Sequence, residues 1–268
     1  MSAISKIPQA HHRLSIHIGV NGLSFVVEDT QTHECLLWRN HSYSFPGGDY
    51  NEWAKEVGHV FQREEYLQKR FQRCHVMIDT PKHTLIPSNL FQPDQALEVL
   101  NQLFQTADLD EVNYFTVEAM NATCFYALPA PVIATVFKHQ HKAGFYASVI
   151  PLLRYIMERK EYSRALMHFT PSHVDLILMQ GDRLLLCNSY AIDRFSTAFY
   201  FLNFALKQWQ LNPRSLSLFV SGSLKPAHLK QLCSFFPSVT VATSQWGLFP
   251  TEALNLQYGP HFFPVCVS

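Results

Sequence analysis

Net charge is missing from this sequence. Twenty-one basic residues balance 21 acidic ones, and charged residues make up only 16% of the chain. Without a positive surplus there is no electrostatic footprint for nucleic acid or for an anionic membrane surface. Closely spaced cysteines are missing too. The six lie at 35, 74, 124, 187, 233 and 266, too far apart for a C-x-x-C redox or zinc motif. Most sit in apolar stretches, Cys187 in RLLLCNSY among them, and read as reduced thiols packed like small hydrophobes. The opening residues, MSAISKIPQAHHR, hold no apolar core of a secretory signal. The longest apolar run, LPAPVIATVF at 128–137, contains two prolines and is too short to span a bilayer. The expectation is a cytoplasmic protein with no nucleic-acid partner and no membrane insertion.

What the chain does have is apolar material. Apolar residues make up 47% of 268, enough for a packed core and against disorder. In LSIHIGVNGLSFVV, at 14–27, apolar and polar residues alternate on either side of a glycine-containing turn, which predicts two strands, 13–18 and 22–28. A third strand is expected over 34–44. Asp49 then caps a helix whose Trp53, Val57, Val60 and Phe61 share one face. Residues 74–79 read as a short buried strand and 83–87 as an extended segment stopped by Pro87. A helix over 94–104, a hairpin through ATCFYALP, a helix opened by Pro131, a strand over 144–149 and a helix over 152–161 follow.

The second half begins with ALMHFTPSHVDLILMQGDRLLLCNSYAI, three more strands. Asp193 or Ser196 is expected to cap a helix over 197–208. SLSLFV reads as a buried strand, Pro226 opens a helix to Phe236, and VTVA is a last strand. The tail SQWGLFPTEALNLQYGPHFFPVCVS is aromatic and proline-rich, so it is expected to pack back on the body.

A shift of 151 residues lays LSIHI on ALMHF and LSFVV on VDLIL without a gap. In both copies a polar turn and a third strand follow, then a helix. Two such βββαβα-type units make a duplicated α/β protein with mixed sheets, divided here into lobes at 13–163 and 164–268.

On these residues the chain resembles the duplicated ribonuclease-H-like, actin-like ATPase fold. The meander at 14–44 takes the place of that fold's first phosphate hairpin, the one at 165–189 its second, and SLSLFVSGSLKP its adenosine segment. LSIHIGVNGLSFVV and HTLIPSNLF further resemble DUF3822, an uncharacterised family from Bacteroidetes with no assigned activity. The resemblance implies a nucleotide cleft at His17, Gly19, Asn21, Gly22, His168, Thr170, Asp175, Ser221, Gly222 and Ser223. It also implies an Asp in each hairpin to hold Mg²⁺ against the phosphates. Here those two positions are His17 and His168, and imidazole is a poor ligand for a hard, oxygen-preferring cation. Val20 replaces the usual hydroxyl, Thr170 a glycine, and Ser221 the first residue of a Gly-Gly pair; Pro171 has no N–H to donate. Asp175 is the acid that a small change of register would bring to the cleft.

The bland readings compete with the sharp ones. His17 and His168, with His173, could form a transition-metal site, but no supporting carboxylate is visible, and half-buried strand histidines are the simpler account. HQH at 139–141 reads as a helix end favourable to cations. Ser221–Ser223 could receive an anion, but a strand–helix turn with Ser223 as cap is preferred. The expectation is therefore a pseudo-ATPase: a non-catalytic protein-binding or scaffold module without a cofactor, contacting an unidentified protein or a second copy of itself. The alternative is a nucleotide-binding or ATP-hydrolysing actin-like protein with drifted phosphate motifs, using ATP and Mg²⁺.

Overall fold

Alternation of apolar side chains builds the first hairpin as expected, β1 (His12–Gly19) and β2 (Gly22–Asp29). The computed structural model describes residues 11–32, 34–43, 45 and 47–242. The third strand, β3 (Cys35–Ser42), pairs antiparallel with β2. Asp49 caps α1 (Tyr50–Arg63) by accepting a hydrogen bond from the Asn51 N–H, and Trp53, Val57, Val60 and Phe61 are buried. The chain breaks at Glu64, makes the single turn α2 (Glu65–Gln68), and returns as β4 (Arg73–Ile78), parallel to β1.

A second small sheet is inserted here. Strand β5 (His83–Pro87), helix α3 (Ala96–Leu103), and strands β6 (Asp110–Val117) and β7 (Ala122–Pro129) form an antiparallel sheet in the order β5-β7-β6. Helix α4 (Ala130–Phe137) then lies against α1, and β8 (Ala143–Ala147) completes the main sheet in the order β3-β2-β1-β4-β8. Gly58 of α1 faces Thr135 of α4 so closely that a methyl group there would be 3.5 Å from the threonine Cγ2.

The second lobe repeats the scheme. Strands β9 (Ser163–Phe169), β10 (His173–Gln180) and β11 (Arg183–Ala191) make the meander. Helix α6 (Phe195–Gln208), strand β12 (Ser217–Gly222), helix α7 (Pro226–Phe235) and strand β13 (Ser238–Val241) follow. Its sheet runs β11-β10-β9-β12-β13, the same order as in the first lobe. The duplication holds in register as well. His17 pairs with Ser24 and, 151 residues on (168 − 17), His168 pairs with Asp175.

Between the lobes lies α5 (Val149–Met157), the connection from β8 to β9. It begins three residues earlier than the sequence suggests, because Pro151 falls in the first turn, where a missing N–H costs nothing. Seven of its nine residues are buried. One core runs from Leu14, Ile16 and Ile18 through Leu152 and Ile156 to Leu166, Ile177 and Phe219 of the second lobe. A separate core, under α6 and α7, fills that lobe's outer face. Arg164 of β9 is buried and ties the joint. Its Nε donates to the Ile156 carbonyl, and Nη1 to those of Glu161 and Gly181, each at 2.8 Å.

Two expected caps are corrected. The residue before α6 is Arg194, and Asp193 instead accepts from the Thr197 hydroxyl at 3.0 Å. The residue before α7 is Lys225, since β12 continues through Gly222 and leaves Ser223 two residues short. No disulfide joins the described cysteines; Cys74, Cys124 and Cys187 are buried and Cys233 is exposed. No helix among the described residues is long and apolar enough to cross a membrane. The tail at 243–268, expected to pack back on the body, lies outside the described residues.

Because the central core is shared, calorimetry is expected to give a single unfolding transition. Phe219→Ala, which removes the ring packed edge-on at 5.7 Å from Tyr155 of α5, should cost about 3–5 kcal/mol in urea unfolding. Two separated transitions in the wild-type protein would contradict the shared core.

Candidate functional site

Strand periodicity sends Ile16 and Ile18 into the core and turns His17 to the opposite face. On that face His17, Ser24 and Asn40 form one cross-strand row, and Gly19, Gly22 and Ser42 the next. His17, Gly22, Ser24, Asn40 and Ser42, with Asn21 of the turn and Ser223 from the second lobe, line a polar recess of about 110 Å³. The Ser24 hydroxyl is buried there without a hydrogen-bond partner. The turn itself is pinned: Tyr43 donates its hydroxyl to the Gly19 carbonyl at 2.8 Å, and Trp53 Nε1 donates to the Tyr43 oxygen at 3.2 Å.

A carboxylate that the hairpin motifs do not contain enters from β4. Asp79 follows that strand, donates its N–H to the Ile18 carbonyl at 2.9 Å, and places Oδ1 2.9 Å from His17 Nε2. Its Oδ2 covers Gly19 so closely that a methyl group on the glycine would come within 2.8 Å. Sequence reasoning missed Asp79. The available signal was an acid directly after a buried parallel strand, in CHVMIDTP, since open α/β sheets gather ligands at the carboxyl ends of their strands.

The corresponding end of the second lobe is closed differently. His168 Nδ1 lies 2.8 Å from the Ser221 hydroxyl, and both residues are buried. Gly222 has φ +82°, and a Cβ there would fall 2.1 Å from the Phe169 carbonyl. The N–H of Ser223 donates to that carbonyl at 2.7 Å, the same bond that Asp79 makes to Ile18. Ser223 is thus the counterpart of Asp79, and Asp175 that of Ser24. Thr170 does not reach the recess. Its hydroxyl is 2.9 Å from His173 Nδ1, inside the second hairpin turn.

Asp175 belongs to a neighbouring buried cluster at the joint between the lobes. Its Oδ1 accepts from the Ser189 hydroxyl and lies 3.8 Å from His173 Nε2. His83 of β5 reaches the same place from the first lobe, with Nδ1 3.5 Å from Ser189 Oγ and 3.4 Å from the Thr80 carbonyl. Of the ten expected cleft residues, the recess brings together His17, Asn21, Gly22 and Ser223. His168, Ser221 and Gly222 make a strand-to-strand contact beside it, and Thr170 and Asp175 turn to the joint. Among the described residues no three His, Cys, Asp or Glu side chains come together as a metal site, His17, His168 and His173 included.

Burial governs the protonation of these groups. It pushes His168 down to about 3, against an upward pull from Asp79, so the ring is neutral at physiological pH. Burial also lowers His83 and His173 and raises Asp175 to about 6. A depressed imidazole contributes stability that is complete above its usual 6.5 and is lost as pH falls toward the folded value. Asp175 acts in the opposite direction below about 6. His168→Asn, which removes the titrating ring, should therefore flatten the fall of stability between about pH 6 and 4 by one proton, ~1.4 kcal/mol per pH unit. Urea unfolding at several pH values checks this; an unchanged slope would contradict a neutral buried His168.

Comparison with known proteins agrees with this architecture. A Bacteroides thetaiotaomicron VPI-5482 protein of unknown function, with an actin-like ATPase fold, is 20% identical, with a TM-score of 0.79 over 90% of this chain and 93% of that one. A chain of the PilM–PilN type IV pilus biogenesis complex is 13% identical, with a TM-score of 0.55 over 95% of this chain and 96% of its own. No curated protein sequence matches the chain. With the fold of its structural neighbours and a family match running over residues 2–239, the chain belongs to the family described as protein of unknown function DUF3822.

Proposed function

We propose that this protein is a catalytically silent member of the actin-like fold that works through protein contacts. The observation that carries the reading is the size and lining of the cleft. A recess of about 110 Å³ is well below the roughly 300–1,000 Å³ of small-molecule sites. The place where a first phosphate would approach the hairpin is covered by Asp79, whose carboxylate repels an anion rather than receiving it. On the second side, His168 and Ser221 satisfy each other across two strands.

Magnesium fits this set of donors poorly. Mg²⁺ demands an octahedral shell of oxygens, and here one carboxylate, already hydrogen-bonded to His17, stands among imidazoles and hydroxyls. Support for a contact function comes from the fold's use elsewhere: one structural neighbour was solved as part of a pilus biogenesis complex.

Asp79 is also the feature that favours the alternative, a nucleotide-binding protein with an acid supplied from β4 instead of the hairpins. The two readings separate by mass action, because a ligand that binds only the folded state raises its melting temperature. Millimolar ATP or ADP with Mg²⁺ should leave the melting temperature unchanged. A rise of several degrees, abolished in Asp79→Asn, would establish the alternative.

A further inference from the structure

Away from the cleft, two strand edges face each other. Strand β5 is an edge of the inserted sheet, and β11 is an edge of the second lobe's sheet. They approach where His83 meets Ser189 and then diverge. A register shift between β10 and β11, at Leu178/Met179, bends β11 at that end. The divergence leaves a groove of about 540 Å³, within the range of binding sites, walled by Leu85, Ile86 and Pro87 on one side, Met120 at the floor and Leu184 opposite.

The backbone of β5 is polarised across this groove. Ala127 donates to the Lys82 carbonyl and Ser88 to the Asn121 carbonyl, each at 2.9 Å, so even-numbered residues of the strand bond to β7. In an antiparallel ladder the alternate residues turn their N–H and C=O the other way. The Leu85 N–H and the carbonyls of Leu85 and Pro87 therefore point out of the sheet, and no strand among the described elements pairs with them. Such an edge, flanked by apolar walls, has the hydrogen-bonding pattern of an extended chain. Its charge is also directional. Arg183 is drawn over the Trp209 ring at 5.9 Å, which leaves the exposed Asp182 as the charge at the mouth.

We propose that this groove docks an extended segment of a partner protein, apolar at alternate positions and basic at the end that meets Asp182, paired through its backbone to the outer edge of β5. This deepens the contact function above and rests on it.

The test uses the full chain and a synthetic peptide, acetyl-Lys-Val-Thr-Val-Thr-Val-Thr-amide, read by fluorescence anisotropy. Saturable binding is expected. N-methylation of alternate peptide amides should abolish it in one phase and spare it in the other. Leu85→Pro removes an N–H that no ladder bond uses, so it should weaken binding by roughly tenfold or more with little change in melting temperature. Should that variant unfold, Asp182→Lys carries the test: it should lose the peptide and gain one whose lysine is replaced by glutamate. Absence of saturable binding, or indifference to both N-methyl patterns, would overturn the proposal. So would concentration-dependent dimerisation abolished by Leu85→Pro, which would make a second copy the occupant. Displacement of the probe by a peptide of residues 259–268 at lower concentration would assign the groove to the chain's own C-terminal segment and overturn it as well. A nucleotide-induced shift with intact peptide binding would remove the silent cleft and keep the groove; the reverse pair of results would do the opposite.

Discussion

The burial of α5 between two sheets is the constraint on which the rest depends. Each lobe carries a meander that cannot cover both of its own faces. In the first lobe α1 and α4 cover the outer face, and in the second α6 and α7 do so. The inner faces are left to each other and to the single apolar helix that links them. Each fully buried Leu or Ile of that helix contributes about 1.5–3 kcal/mol. Arg164 satisfies the carbonyls that the end of the helix leaves open, so the joint carries few unmet polar groups along its apolar part.

The polar part of the same joint is built on another principle. His168, His173, His83 and Asp175 are withdrawn from water, and burial pushes each of them toward its neutral form. Their hydrogen bonds are short-range and internal: His168 with Ser221, His173 with Thr170, Asp175 with Ser189. Phosphate chemistry asks for the reverse, fixed positive partners or oxygen-bound metal at a site that opens to a ligand. The inner faces of the two lobes therefore meet as a lining of mutually satisfied groups, with Asp79 as the acid beside the recess.

Much of this was legible in the sequence because local periodicity and global fold agree. The 151-residue shift placed both meanders, and the equal strand order of the two sheets is what such a repeat requires. Asp49 and the buried face of α1 were readable from one capping residue and four spaced apolar ones. The site was less legible for a physical reason. Hairpin residues such as His17 and Gly22 announce themselves by local pattern, whereas Asp79, Asn40 and Ser42 reach the recess by strand pairing, which no local window contains. Thr170 has the right spacing but spends its hydroxyl on His173. The caps of α6 and α7 were misread because Asp193 and Ser223 are good capping residues one and two positions too early, where the backbone is still extended or turning.

Arg164 carries a consequence for regulation. One guanidinium grips the end of the linking helix, the residue before the second lobe's first strand and the tip of its hairpin. Rotating one lobe against the other would have to release a charged group inside a dry seam, so the seam behaves as a weld and not as a hinge. A partner meets the same outline whatever nucleotide surrounds it, and control over when it binds must come from competition for the surface or from the amount of protein made.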